Sequence, residues 1–392
     1  MGIGRGRRKF PRRYLGWDAR ASPEASLLAW GHAANAPIAV RRLTDTVTPM
    51  GSAIRDSVSQ AWPPFVLVAG LLLIGAVAET EGLFAALGTR AERLAGGPGV
   101  LLAALLGLEA LVTAVLNLDT AVVFMTPTAL HAARQRDCDE RPFLYGALFI
   151  ANGASLLLPG SNLTNLIVLH GEASSGIAFA RTMALPWLVV VVVTIAFVVF
   201  AFRPRSEGGT PGPPAPLRVG LGVAATAAAT LLILVLHNPA APVFGVGVAA
   251  ILWRRIRPKL DAHVLIGLFL LAVTLGTLAR RWDGPASLVA HLGGIGVAAL
   301  GAGASIAVNN LPAAALLSAR RPPHPLPLLI GLNLGPNLAY TGSLSAYLWY
   351  RTARSIGARP SLRTSSALGL LLVPLTMTAA LAALRLVDPS AL

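Results

Sequence analysis

The sequence predicts an all-α polytopic membrane protein: an inverted repeat of two halves, each with a re-entrant hairpin and a broken transmembrane helix. Charged residues make up only 12% of the 392 residues, which is about half of what a soluble domain carries. Apolar residues form long runs, and a run of about 20 crosses a bilayer as a helix. Polar interruptions of such runs occur twice in the same order. The clearest uninterrupted runs are Phe65–Val77, Trp187–Phe200, Val219–Leu236 and Val264–Leu278.

The apolar runs also divide the chain into segments. Residues 1–61 form a basic, poorly organised N-terminal segment, in which Ser26–Val40 is either one poor span or none. Residues 62–202 and 218–392 are the two repeats, and a Pro- and Gly-rich linker over 203–217 separates them. Spans are predicted at about 62–79, 143–169, 182–202, 218–236, 239–253, 263–281, 326–350 and 366–386.

Two further apolar stretches, 97–133 and 286–319, are interrupted in the middle by polar residues. The first contains Leu116-Asn117-Leu118-Asp119-Thr120, and the second contains Val308–Pro312, which reads VNNLP. Irregular backbone at membrane depth is tolerated only inside protein or beside a watery cavity. Each stretch is therefore predicted to be a re-entrant hairpin with an Asn-containing tip.

A broken span follows each hairpin. The first runs through ANGAS and PGSNLTN at 151–165, and the second through GLNLGPN and YTGSLS at 331–345. Placing Asn152 opposite Asn333 also brings Asn162 opposite Ser343. Interrupted apolar segments at matching positions of two halves indicate a solute-binding site near the membrane midplane.

The basic residues support an inverted arrangement. If the two hairpins enter from opposite faces, the loops on the cytoplasmic side hold sixteen Arg and Lys residues and the outer loops hold five. Such a bias follows the positive-inside rule. It also accounts for the net charge of +15 without a nucleic-acid partner, which we do not expect. We assign the chain to the cell (inner) membrane as a multi-pass protein.

The sequence lacks the parts of a soluble enzyme. It has no metal-ligand spacing, no phosphate-binding loop and no nucleophile with a nearby base, and its single cysteine, Cys138, leaves no cysteine cluster. We therefore expect no catalytic residues, no metal and no cofactor. A membrane-embedded enzyme is a remaining alternative, and activity in detergent without vesicles would distinguish it from a carrier.

Two carboxylates are the candidate proton- or ion-coupling residues. Asp119 lies at the first hairpin tip, and Glu109 lies about three helical turns before it. Ionisable groups inside a bilayer are costly and usually functional, and burial lets a carboxylate take up and release protons. Asp119 is the leading coupling residue, with a helix N-cap as the structural alternative. Glu109 is either a second proton site or a residue facing a wet vestibule, and we favour the vestibule.

The candidate substrate-binding residues are neutral amides and hydroxyls at the tips and breaks. Such groups, with freed carbonyls and helix N-termini, can bind a small polyhydroxy solute or an anion. The alternative is that they only join helices to one another. The candidates are Asn117, Thr120, Ser161, Asn162, Thr164 and Asn165 in the first half, and Asn309, Asn310, Asn337, Thr341 and Ser343 in the second.

From about residue 55 onward, these motifs resemble those of the arsenite efflux permeases (ArsB-type) of the ion transporter superfamily, which also contains the sodium:dicarboxylate symporters. The stretches that carry the resemblance are LNLDTAVVFMTP at 116–127, ANGASLLLPGSNLTNLIVL at 151–169, SIAVNNLPAA at 305–314 and GLNLGPNLAYTGSLSAYLW at 331–349.

The resemblance implies a secondary active transporter, an antiporter that exports arsenite or antimonite in exchange for protons and so confers arsenical resistance. It also implies a homodimer and an optional cytoplasmic ATPase partner. The alternatives are a sodium- or proton-coupled carrier of dicarboxylate-like anions and a Na+/H+ antiporter of the same superfamily. No basic residue is visible at the predicted midplane, which favours a neutral solute such as As(OH)3.

This chain departs from the family pattern in two places. Leu118-Asp119 stands where members commonly carry Asn-Asp, with Asn117 as a substitute. The first half also lacks clear counterparts of the spans at 218–236 and 239–253.

Overall fold

The structure is a computed structural model that describes residues 1, 49–94, 96–170, 175–205, 219–258 and 262–392. Residues 48–392 form one compact unit. The possible span at Ser26–Val40 and most of the predicted linker at 203–217 lie outside the described residues. The proposed repeat boundaries stay predictions.

Sixteen α-helices make up the described part of the compact unit, in which no strand occurs. Their bounds are α1 Met50–Thr80, α2 Leu83–Leu94, α3 Pro98–Val115, α4 Leu118–Gln135, α5 Glu140–Gly153, α6 Leu163–Val168, α7 Gly176–Phe202, α8 Leu221–Val235, α9 Ala240–Arg254, α10 Ala262–Arg281, α11 Gly284–Ala290, α12 Gly294–Val308, α13 Asn310–Leu317, α14 Pro325–Leu334, α15 Leu344–Ser355 and α16 Leu362–Val387.

Five of these helices, α1, α3, α7, α10 and α16, are long and apolar enough to cross a membrane. Three shorter helices, α8, α9 and α12, are also apolar. The prediction of an all-α, multi-pass membrane protein is therefore confirmed. The inverted relation of the two halves stays a prediction.

Helix α1 begins at Met50, twelve residues before the predicted start at 62. Two prolines, Pro63 and Pro64, mark that predicted start, yet they lie inside the helix. Tertiary contacts hold the preceding turns helical, because Gln60 donates from Nε2 to the backbone oxygens of Ile167 (2.9 Å) and Ser318 (3.2 Å). Sequence alone does not reveal these partners.

Helix α1 packs against α8, α9 and α10, the helices that open the second half. The contact with α9 is close at two glycines. A Cβ at Gly70 would lie 2.7 Å from Phe244 Cα, and a Cβ at Gly247 would lie 2.7 Å from the Gly70 oxygen. Small residues at such a crossing let two backbones approach within a membrane. One long helix thus joins the two halves.

The polar interruptions coincide with breaks in the helices. Helices α3 and α4 contact each other and meet at Leu116 and Asn117, forming the first hairpin; α12 and α13 meet at Asn309, forming the second. Helix α5 continues through the 3₁₀ turns Ala154–Leu156 and Pro159–Ser161 into α6, forming the first broken span. Helix α14 continues through the 3₁₀ turns Gly335–Leu338 and Tyr340–Gly342 into α15, forming the second.

Candidate functional site

The tip of the first hairpin is capped by Asn117. Its Oδ1 accepts a hydrogen bond from the backbone N–H of Thr120 at 2.7 Å, and its φ is 152°. Asn tolerates a positive φ better than most residues, and its short side chain is a preferred N-cap. The structural alternative for Asp119 is therefore wrong: the cap is Asn117, and Asp119 lies in the first turn of α4.

Asp119 is 2% exposed and lies at the N-terminal end of α4. The partial positive charge of a helix N-terminus stabilises an anion there. Neither Asp119 nor Glu109 forms an ion pair with any residue that the structure describes. The arrangement suits a group that exchanges a proton or a small cation.

A line of buried polar groups leads to this tip along α3. Glu109 and Thr113 are four residues apart on α3, a spacing that places side chains on one helix face, and Asn117 follows just beyond the C-terminal end of this helix. Both Glu109 carboxylate oxygens, Thr113 Oγ1 and Asn117 Nδ2 are buried without a hydrogen-bond partner, as is Thr120 Oγ1 on α4. Because a buried unpartnered polar group costs about 1–3 kcal/mol, this line is available to bind a proton, an ion or a solute.

The location of Glu109 corrects one expectation. We favoured a wet vestibule for this side chain, but it is 0% exposed. Glu109 is a residue of α3, and its side chain does not reach the solvent-accessible surface. The sequence does not show this, because the burial of Glu109 depends on how α2, α4, α5 and α7 pack against α3.

The first broken span meets the first hairpin through Ser161. Its Oγ donates to the backbone oxygen of Ala114 in α3 at 3.0 Å and accepts from the Leu158 N–H at 3.1 Å. The next residue, Asn162, caps α6 by accepting from the Thr164 N–H at 3.1 Å. These contacts place the Ser161-Asn162 turn beside the C-terminal end of α3.

The second half has a similar arrangement. Asn309 adopts a φ of 74° and caps α13 by accepting from the Leu311 N–H at 3.2 Å. Its Nδ2 donates to the Thr341 backbone oxygen at 3.2 Å. Ser343 caps α15 by accepting from the Ala346 N–H at 3.2 Å. In each half, an Asn with a positive φ caps the outgoing hairpin helix and a polar side chain caps the second part of the broken span.

Asn333 joins the two broken spans. Its Oδ1 accepts from Ser155 Oγ at 2.8 Å and from Asn162 Nδ2. Its Nδ2 donates to Asn165 Oδ1 at 2.9 Å. A longer contact of 3.4 Å links Thr164 Oγ1 to the same Asn333 oxygen. One α14 side chain therefore binds four residues of the first half.

Asn152 holds the matching position on α5. Its Nδ2 donates to Asn337 Oδ1 at 2.8 Å, and its Oδ1 accepts from Ser345 Oγ at 3.0 Å. The alignment of Asn152 with Asn333 makes Thr164 equivalent to Ser345. The bond from Ser345 to Asn152 is thus the counterpart of the contact from Thr164 to Asn333.

The predicted substrate residues occupy three kinds of position. Asn117 and Thr120 lie at the first hairpin tip and carry unpartnered atoms. Asn309 and Asn310 lie at the second tip, and Asn310 is buried. The remaining predicted residues lie in the broken spans, where Thr341 is exposed and the others are buried, namely Ser161, Asn162, Thr164, Asn165, Asn337 and Ser343.

Several residues of this region were not among the predicted site residues. Asn152, Ser155, Asn333 and Ser345 complete the cross-half network, and Thr113 lies in the polar line on α3. The alignment of Asn152 with Asn333 was a usable signal for the network. The four-residue spacing of Glu109 and Thr113, followed by the tip residue Asn117, was a usable signal for the polar line.

Among the described residues, no group of three or more His, Cys, Asp and Glu side chains is placed to hold a metal ion. The site is built from amides, hydroxyls and the two buried carboxylates.

Comparison with protein families places the chain beside known transporters. The family model CitMHS, described as "Citrate transporter", matches residues 27–332. The match covers both hairpins, the whole first broken span and α14 up to Leu332, including Asn117, Asp119 and Asn309.

Proposed function

Because the chain belongs to the citrate transporter family, we propose that it is a secondary transporter of citrate or a similar small carboxylate, driven by a cation or proton that binds at Asp119. The observation that carries the proposal is the composition of the first hairpin tip. There a buried carboxylate without an ion pair lies beside Asn117 Nδ2 and the Thr120 hydroxyl, neither of which has a hydrogen-bond partner.

The negative charges of citrate and of the site require that substrate transport be coupled to a proton or a cation. Citrate brings several negative charges towards a region whose own ionisable side chains are Asp119 and Glu109. Like charges repel strongly where the dielectric is low, and ionised groups inside a membrane are costly. A proton or cation on Asp119 removes one negative charge, and the N-terminus of α4 then attracts the substrate.

The substrate contacts in this proposal come from the two hairpin tips and from the second broken span. Asn117 Nδ2 supplies a hydrogen-bond donor and the Thr120 hydroxyl supplies either a donor or an acceptor. In the second half, the substrate would replace existing bonds, because Asn309 Nδ2 donates to the Thr341 backbone oxygen and the exposed Thr341 hydroxyl donates to the Ile306 oxygen. The cross-half network around Asn152 and Asn333 supports these tips, because its amides already bind one another.

A second candidate substrate is arsenite or antimonite. The observation that favours it is the neutral, hydroxyl- and amide-rich character of the tips and breaks, which suits an uncharged As(OH)3 molecule. The chain would then act as a proton-coupled antiporter at the inner membrane. If arsenite or antimonite is the substrate, we also expect a homodimer and an optional cytoplasmic ATPase partner.

Transport by purified protein in liposomes tests the proposal. We expect accumulation of labelled citrate that depends on an imposed proton or sodium gradient and exceeds that of liposomes without protein. Arsenite uptake is measured in the same vesicles. Gradient-driven movement of arsenite without citrate would replace the first candidate by the second. If folded protein moves neither solute under any gradient, both candidates are wrong.

A further inference from the structure

A cavity of about 570 Å³ lies between α1, α4, α10 and α15. Its lining includes Glu79 of α1, Phe124 of α4, Arg257 in the segment after α9, and Leu344, Arg351 and Thr352 of α15. We name this cavity the arginine vestibule.

The inner end of the arginine vestibule approaches the candidate site from both halves. Leu344 follows Ser343, the cap of α15. Val123, which also lines the cavity, lies four residues after Asp119 on α4, and residues four apart share a helix face. The cavity therefore ends about one helical turn from the coupling carboxylate and directly beside the second break.

The outer end carries the charges. Arg351 lies seven residues after Leu344, or about 10 Å along the helix, and Arg351 and Arg257 are both exposed. Glu79 is exposed beside them and contributes the opposing charge. These residues belong to loops and helix ends that the positive-inside bias assigns to the cytoplasm.

A second cavity, of about 420 Å³, borders α1 at Pro63, Pro64 and Leu67. The stretch of α1 that lines the arginine vestibule lies further along the helix. The second cavity reaches Pro159 of the first broken span and has His170 and His237 in its lining, with no Arg, Lys, Asp or Glu there among the described residues. Arg257 and Arg351 thus line the arginine vestibule and not this second cavity.

We propose that the arginine vestibule is an anion-binding antechamber, in which Arg257 and Arg351 bind carboxylate groups of the substrate before it reaches the hairpin tips. The identity of the anion rests on the proposed function. Guanidinium groups bind carboxylates well, and a cleft lined by one sign of charge concentrates ions of the other sign. Glu79 opposes this attraction, so its neutralisation strengthens binding.

A labelling experiment tests the vestibule without relying on transport. Leu348→Cys, in a Cys138→Ser background, places one thiol inside the cavity; Thr352→Cys is the alternative position. Reaction rates are measured with an anionic and a cationic thiosulfonate reagent of similar size. We expect the anionic reagent to be favoured. Arg351→Gln or Arg257→Gln is expected to lower the ratio of the two rates by about threefold or more.

Two further variants complete the labelling experiment: one tests the sign of the electrostatic effect, and the other is a control. Glu79→Gln is expected to raise the same ratio. Arg354→Gln, on α15 but outside the cavity lining, is expected to leave it unchanged. If Arg351→Gln and Arg257→Gln both leave the ratio unchanged, or if Arg354→Gln lowers it equally, the vestibule proposal is wrong.

Transport kinetics then connect the vestibule to the substrate. With citrate supplied on the arginine side of oriented vesicles, Arg351→Gln is expected to raise KM about three- to tenfold and to change kcat little. Citrate supplied on the other side is expected to show no such change. Charge-selective labelling without citrate transport would reject citrate as substrate and keep the anion antechamber. Citrate transport with labelling and KM unaffected by both arginines would reject the antechamber alone.

Discussion

Asn152 donates a hydrogen bond from Nδ2 to Oδ1 of Asn337 at 2.8 Å, although 185 residues separate them. This bond joins α5 of the first broken span to the 3₁₀ turn of the second. Both side chains are buried, so water does not compete for either amide. Together with the bonds of Asn333, it makes the two breaks one hydrogen-bonded unit. A change in one break therefore affects the other.

Removing the Asn333 amide is expected to destabilise the protein. Asn333→Ala leaves Ser155 Oγ, Asn162 Nδ2 and Asn165 Oδ1 without this partner, and we expect the free energy of unfolding to fall by about 1–3 kcal/mol. Thermal unfolding in detergent measures the effect. The control is Thr378→Ala, whose exposed hydroxyl bonds only within α16. Equal stability of the two variants would contradict the structural role of the network.

Asp119→Asn is expected to abolish gradient-driven transport while leaving the fold intact. Asn117, and not Asp119, caps α4, so the exchange of carboxylate for amide does not remove the cap. The variant is expected to reach the membrane with normal thermal stability and to lose accumulation driven by a proton or cation gradient. Asp119→Glu is expected to retain part of the activity. Unchanged gradient dependence in Asp119→Asn would remove Asp119 from the coupling step.

Glu109→Gln is expected to raise thermal stability and to reduce transport less than Asp119→Asn. Both Glu109 oxygens are buried without partners, and a neutral amide is less costly to bury than a carboxylate. The two variants are compared by melting temperature and by initial uptake rate at equal membrane expression. A loss of transport as complete as that of Asp119→Asn would make Glu109 a second coupling residue.

Glu81 is expected to contribute to stability through α8. Its two carboxylate oxygens accept from the backbone N–H groups of Leu221 (3.2 Å) and Gly222 (2.7 Å), and one of them pairs with Arg254 at 2.8 Å. Glu81→Ala leaves those donors unpartnered and is expected to lower the free energy of unfolding by about 1–3 kcal/mol. Arg254 is half exposed, so Arg254→Ala is expected to have the smaller effect. The opposite order would show that the ion pair matters more than the cap.

Accessibility within the second broken span is expected to differ between nearby residues. Thr341 is exposed and Ser343 is buried. In a Cys138→Ser background, Thr341→Cys is expected to react with a small aqueous thiol reagent at once, and Ser343→Cys only during active transport. Substrate is expected to slow both reactions. Rapid labelling of Ser343→Cys without substrate or gradient would contradict the buried position.

The sequence alone was sufficient for the class of protein and for the location of its breaks. Long apolar runs with few charges indicate membrane-spanning helices, because the bilayer core requires apolar side chains over the length of a span. The breaks at Asn117, Asn309 and the two broken spans were also predictable. Asn, Gly and Pro interrupt helices through local chemistry that depends on near neighbours in the chain.

The tertiary structure decided which polar groups have partners. Asn333 could be recognised as one of two aligned amides, but its bonds to residues of the other half depend on packing across more than 150 residues of sequence. The same holds for α1, whose start at Met50 depends on contacts of Gln60 with Ile167 and Ser318. Burial of Glu109 and the cap at Asn117 likewise follow from three-dimensional packing and exact backbone angles. A periodic pattern specifies the buried face of a helix, whereas the group that meets each polar atom is specified only when the helices come together.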